Sequence, residues 1–161
     1  MADKQIRGFK DYFIDAVIIS SSLIVVFYSG YYHTMLLQLD ESLIESGLSH
    51  LLSVLSIVSV AATLALGVVH RRITVPIFHS VFFGVCFLSQ LALFIGGTTD
   101  IFSSEKIEMF LLALTFPQAS YMSLFNHRSA WPSLIITAVL ALASVLSAIA
   151  VRRLGKRDAN G

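Results

Sequence analysis

The sequence predicts an all-α fold, a polytopic transmembrane helical bundle with four or five membrane-embedded helices. Three observations carry that expectation. Five apolar stretches fill the 161 residues. All 11 Lys and Arg residues lie outside those stretches. The composition is 56% hydrophobic and only 13% charged. The stretches run from Asp15 to Leu37, Leu51 to Val69, Ile73 to Ile95, Ile107 to Phe125 and Ala130 to Val151. Each approaches or exceeds the roughly 20 residues that carry an α-helix across about 30 Å of hydrocarbon. With their flanking turns they predict helices near 12–38, 46–70, 73–96, 105–125 and 130–153, forming one integral membrane domain over 1–161.

The first stretch follows Lys4, Arg7 and Lys10, which resemble the charged lead of a secretory signal. Asp11 and Asp15 interrupt that lead, and no small-x-small cleavage site follows, so the stretch reads as a retained spanning helix. Tyr28, Tyr31 and Tyr32 gather toward its far end, as interfacial rings do, and Trp131 opens the last stretch. The second stretch has nothing more polar than Ser and Thr. The third begins after the Arg71-Arg72 turn. The fourth is the weakest span, because Pro117 removes a backbone donor and Gln118 brings an amide into its middle. That pair predicts a bend or interruption, with Gln118 turned toward protein and a seam such as Ser89 and Gln90 or the second stretch's serines supplying its partners.

Charge decides how the fourth stretch is read. Basic residues number three before the first stretch, none in the loop of Asp40, Glu41 and Glu45, two at Arg71 and Arg72, one each at Lys106 and Arg128, and four from Arg152 to Arg157. Five crossings divide them six to five. Four crossings with a re-entrant fourth element divide them nine to two, which satisfies the tendency of basic loops to stay inside. Either way the N-terminus and the Arg71-Arg72 turn are expected on the cytoplasmic side, and the acidic loop outside.

Polar residues fall in lines. Asp15, Ser22, Ser29 and His33 share one face of the first helix. Ser49, Ser53, Ser56, Thr63, Gly67 and His70 form a small-residue seam on the second, His79, Cys86 and Gln90 align on the third, and Thr137, Ala141, Ser144 and Ala148 on the last. Such seams serve helix packing in membranes, and the same lines suit a polar path with Asp15, His79, Gln90 and Gln118 as its candidate residues. For a buried Asp15 the candidate partners are His70 and His79. His33 and His50 flank the outer loop at one level and are the candidate axial ligands of a haem b. His127 sits in a polar connection. Cys86, the single cysteine, reads as a small core residue.

Function classes narrow accordingly. A net charge of +1, with the basic residues scattered, argues against nucleic acid. No nucleophile elbow, His-Glu-x-x-His or phosphate loop is present, so the sequence points away from an enzyme. Three expectations remain besides contact with the lipid bilayer. The first is a bundle that associates with itself, as a homo-oligomer, or with a membrane-protein partner. The second is a transporter or channel for a small solute, ion or proton. The third is a haem- or quinone-binding electron-transfer subunit.

Overall fold

The computed structural model describes residues 8–39, 47–99, 105–124 and 131–158. The acidic loop residues Asp40, Glu41 and Glu45, and His127 and Arg128, lie outside them. Helices α1 (Phe9–Leu39), α2 (Gly47–Val69), α3 (Thr74–Thr99) and α5 (Trp131–Asp158) are each long and apolar enough to cross a membrane. Between α3 and α5 lie a short α4 (Glu105–Thr115) and a 3₁₀ segment (Phe116–Leu124). The chain is thus a multi-pass membrane helical bundle with four candidate spans.

Side-chain pairings fix the directions. Asp15 meets Arg72, Ser22 meets His79 and Phe27 meets Phe82, so α1 and α3 run parallel. Phe94 packs on Trp131 and Gln90 bonds Ser133, so α5 starts beside the end of α3 and runs back along it. The fourth element therefore begins and ends at the same end of the bundle. Its 11-residue α4 measures only about 17 Å at 1.5 Å per residue. The 3₁₀ segment continues inward along α2, passing Ser53 at Ser120 and Ser56 at Tyr121. It is a re-entrant insertion reaching the bundle's centre, where Tyr121 joins Val26, Val60, Leu64, Phe83 and Leu140 in the core.

The break has a local cause. Beyond Thr115 the helix tightens to 3₁₀ geometry, and the donor that would meet the Leu114 carbonyl in an i to i+3 pattern is the nitrogen of Pro117, which carries no hydrogen. Prolines Pro76 and Pro132 sit in first helical turns instead, where no donor is lost. The α2–α3 turn closes with Arg72 N donating to Gly67 O at 2.7 Å and Arg71 N to Val68 O at 3.1 Å, the Schellman pattern. Arg71 takes the left-handed position at φ 54°, a place usually held by Gly.

The bundle is polar inside and apolar outside. Ser22, Ser53, Ser56, His79, Gln118, Thr137 and Ser144 are fully buried, whereas Ile24, Val81, Leu88, Val139 and Leu142 face outward. That distribution suits a lipid surround, because the hydroxyls need protein partners and the outer aliphatic side chains do not.

Candidate functional site

At the basic end, α1 places Asp11 and Asp15 four residues apart on one face, and Arg72 reaches both. Its Nη1 donates to Asp15 Oδ1 at 2.7 Å and to the Asp11 carbonyl at 3.0 Å, while Nη2 donates to Asp11 Oδ1 at 3.3 Å. Asp15 is buried at 2% exposure. The hydrogen bond to Asp15 is the main cause raising the Arg72 pKa above its ordinary value. This corrects the expected histidine partners. The Schellman turn aims Arg72 back at α1, and a guanidinium offers a carboxylate a stronger, always-charged partner than an imidazole does.

One step further in, His79 Nδ1 donates to Val75 O at 2.9 Å, and its Nε2 lies 2.8 Å from Ser22 Oγ. Ser22 Oγ is also 2.9 Å from Ile19 O. The serine has one hydrogen, so with a neutral imidazole it goes to Nε2, and with an imidazolium the ring donates and the serine turns to Ile19. Asp15 and His79 are thus two separate stations, each with its own partner. His33 Nδ1 lies 3.4 Å from Ser49 Oγ, and His50 is half-buried at the start of α2.

The interrupted element carries the densest polar chemistry. Cys86 Sγ donates to Leu114 O at 3.3 Å, meeting the carbonyl that Pro117 orphans. Ser53 donates to Ser120 O at 2.8 Å, and Ser133 donates to Gln118 O at 3.1 Å. Ser56 and the Tyr121 hydroxyl lie 3.0 Å apart. The seams therefore serve the segment's backbone rather than the Gln118 side chain. That carboxamide is wholly buried, its amide group within hydrogen-bonding reach of the Cys86 thiol, and its oxygen has no hydrogen-bond partner.

Gln90 Nε2 donates to Ser133 Oγ at 3.1 Å. Because the single hydrogen of Ser133 is committed to Gln118 O, Gln90 must present nitrogen to it, which fixes the amide's orientation. Gln90 Oε1 is left buried without a partner. Gln90 and Ser133 line a cavity of about 430 Å³, together with Thr34, Phe94, Leu112 and Thr115. A second hollow of about 280 Å³, lined by Phe27, Phe82, Cys86 and Pro117, is almost wholly apolar. His33 and His50 line neither of these two cavities. Among the described residues, no three His, Cys, Asp or Glu side chains converge as a metal-holding group.

Of the path candidates, the structure joins Gln90 to Gln118 through Ser133 and leaves Asp15 and His79 apart from them. Sequence reasoning missed Arg72 as a ligand of Asp15, having read it only as a topology marker. It also missed Ser133, Tyr121 and Gly30. A Cβ on Gly30 would lie 2.5 Å from Phe116 O and 2.9 Å from Pro117 Cα, so this glycine admits the re-entrant backbone against α1. No local pattern separates it from other glycines of the chain. Neither a protein family, nor a curated protein, nor a solved structure matches this chain.

Proposed function

We propose that this multi-pass membrane protein binds a small uncharged molecule from the lipid phase beside its re-entrant element, with the Arg71-Arg72 end and the N-terminus on the cytoplasmic side. The supporting observation is the 430 Å³ cavity whose wall includes Gln90, an oriented carboxamide with an unsatisfied oxygen. An apolar cavity of a few hundred Å³ with a few convergent polar groups is the usual form of a small-molecule site. The described lining holds no charged side chain, which favours a neutral occupant over an ion. Leu112, part of that lining, is 52% exposed on the bundle's flank, so the mouth opens toward lipid.

The cavity carries the proposal in preference to association. The motive for association was the small-residue seams, and Ser49, Ser53, Ser56, Thr63 and Gly67 are buried within a single copy. The orientation rests on the re-entrant arrangement, which among the described residues gathers Lys10, Arg71, Arg72, Arg152, Arg153, Lys156 and Arg157 at one end.

The test is an inventory of what the purified protein retains after detergent exchange from its own membrane, read by mass spectrometry. A neutral molecule in stoichiometric amount is expected, and it should be lost from Ala119→Phe, which fills the cavity. A folded protein retaining nothing, or retaining the same molecule equally in Ala119→Phe, overturns the reading. Conduction is a second reading, favoured by Ser29, buried without a partner on the same α1 face as Asp15 and Ser22. Reconstituted vesicles with no solute or proton flux dependent on the protein would remove it.

A further inference from the structure

The polar atoms around the cavity are short of hydrogen. Thr34 spends its hydroxyl hydrogen on Gly30 O at 3.0 Å, and Thr115 spends its own on Leu112 O at 3.0 Å. Ser133 has committed its hydrogen to Gln118 O. What these side chains still offer is lone pairs, and the oxygen of Gln90, held outward from Ser133, is an acceptor with no donor. The Gln90 nitrogen keeps one further hydrogen, since a carboxamide carries two and Ser133 takes one. Acceptors therefore outnumber donors at this wall. Oε1 is covered by its neighbours, and a modest turn of the carboxamide about its soft terminal torsion brings it to the cavity surface.

We infer that the occupant is a membrane-dissolved alcohol: a hydroxyl group that donates to Gln90 Oε1 and accepts from Gln90 Nε2, on an apolar body lying among Phe94, Leu112 and their neighbours. This rests on the proposed lipid-phase cavity and names the chemistry it selects. A ketone, ether or quinone of the same body presents only acceptors and leaves Oε1 unsatisfied. An ammonium or carboxylate head meets no opposite charge in the described lining. A hydroxyl is the smallest head group that both donates and accepts at no charge.

The single tryptophan, Trp131, reports on this wall, because its ring packs on Phe94 with centroids 4.6 Å apart. The full chain in phosphatidylcholine nanodiscs is titrated with farnesol and, separately, with farnesyl methyl ether, following Trp131 fluorescence. Farnesol should give a saturable change, with the ether's midpoint about tenfold higher, the worth of one buried hydrogen bond. Gln90→Leu removes both Oε1 and Nε2, so it should weaken farnesol more than the ether and bring the two midpoints together. Equal midpoints for alcohol and ether on the unaltered protein overturn the inference even if Gln90→Leu fails to fold, and so does the absence of any saturable change with farnesol. Equal midpoints leave the lipid-phase cavity standing. That reading falls only with the retention experiment and its Ala119→Phe control.

Discussion

Replacing Gly30 by Ala tests the re-entrant architecture at its tightest point. The added methyl would stand 2.5 Å from Phe116 O, and 2.9 Å from both Cα and O of Pro117, where ordinary contact begins near 3.4 Å. All three atoms are backbone, so no side chain can swing aside, and the 3₁₀ segment must retreat by about 0.9 Å. The same segment is anchored at 2.8 Å from Ser53 and 3.1 Å from Ser133. A retreat of that size carries both bonds past about 3.6 Å, where they cease to count. Overpacking costs about 1–3 kcal/mol, and a buried carbonyl left unmet about 1–3 kcal/mol more. Alanine in a helix returns about 0.5–1 kcal/mol over glycine. The net expectation is a loss of about 3 kcal/mol. Gly84, on α3, is the control: a methyl added there would meet nothing within 4 Å, and Gly84→Ala should stabilise by about 0.5–1 kcal/mol. Both variants can be unfolded reversibly in mixed micelles of rising SDS content and followed by circular dichroism. A Gly30→Ala protein within about 0.5 kcal/mol of the parent would refute the packing of Phe116 and Pro117 against α1.

Other expectations follow from named contacts. Cys86→Ser should hold the Leu114 carbonyl and keep stability within about 1 kcal/mol, while Cys86→Val should lose about 1–3 kcal/mol in the same SDS titration; equal stability of the two removes the capping role. Arg72→Ala removes the ion pair of the buried Asp15 carboxylate and should cost about 3 kcal/mol, more than Asp15→Asn, which removes the charge along with the pair; the reverse order of melting temperatures would contradict the pairing. Because the hydrogen bond to Asp15 raises the Arg72 pKa further above its already high ordinary value, its contribution is fully present across the neutral range and is lost only at strongly alkaline pH, so between about pH 6 and 9 the arginine itself should add no pH dependence. Arg71→Gly relieves a left-handed position and should be neutral or stabilising by up to about 1 kcal/mol, with a clear loss arguing against the Schellman turn.

The apolar spans and the break at Pro117 were legible because both rest on local rules: hydropathy over about twenty residues, and a proline's missing hydrogen. The weakness of the fourth stretch and the nine-to-two division of basic residues allowed re-entry, but a kinked fifth crossing fitted the hydropathy as well. The partners were less legible. Asp15 and Arg72 are 57 positions apart, and only the left-handed Arg71 turns the second arginine back toward α1. Spacing showed that the serines of α2 share a face, but it does not tell whether that face meets a second copy, a water path or a backbone segment inserted from the same chain. Gly30 illustrates the limit: its importance lies in what approaches it, and the approaching residues, Phe116 and Pro117, are far along the chain.

Each spanning helix supplies one fitting for the interrupted segment. α1 gives the space at Gly30, α2 the Ser53 hydroxyl, α3 the Cys86 thiol and α5 the Ser133 hydroxyl. The polar interior of this bundle is thus in large part a socket for its own re-entrant backbone. In hydrocarbon a broken helix survives only where protein satisfies it, and three of these fittings are hydrogen bonds to backbone carbonyls of the interrupted element. What they do not satisfy is the oxygen of each carboxamide flanking Ser133, Gln118 Oε1 and Gln90 Oε1. Leucine at 118 would remove an unpaired buried oxygen worth about 1–3 kcal/mol, whereas leucine at 90 would also remove the Nε2 bond to Ser133. If stability alone had shaped the segment, Gln118→Leu should therefore raise the unfolding midpoint with no other effect. If Gln90 holds a ligand, Gln90→Leu should abolish retention of the cavity's occupant while keeping the unfolding midpoint within about 1 kcal/mol, the lost Ser133 bond offsetting the removed oxygen. A folded Gln90→Leu protein that retains the occupant unchanged would show that the carboxamide only holds Ser133 and takes no part in the site.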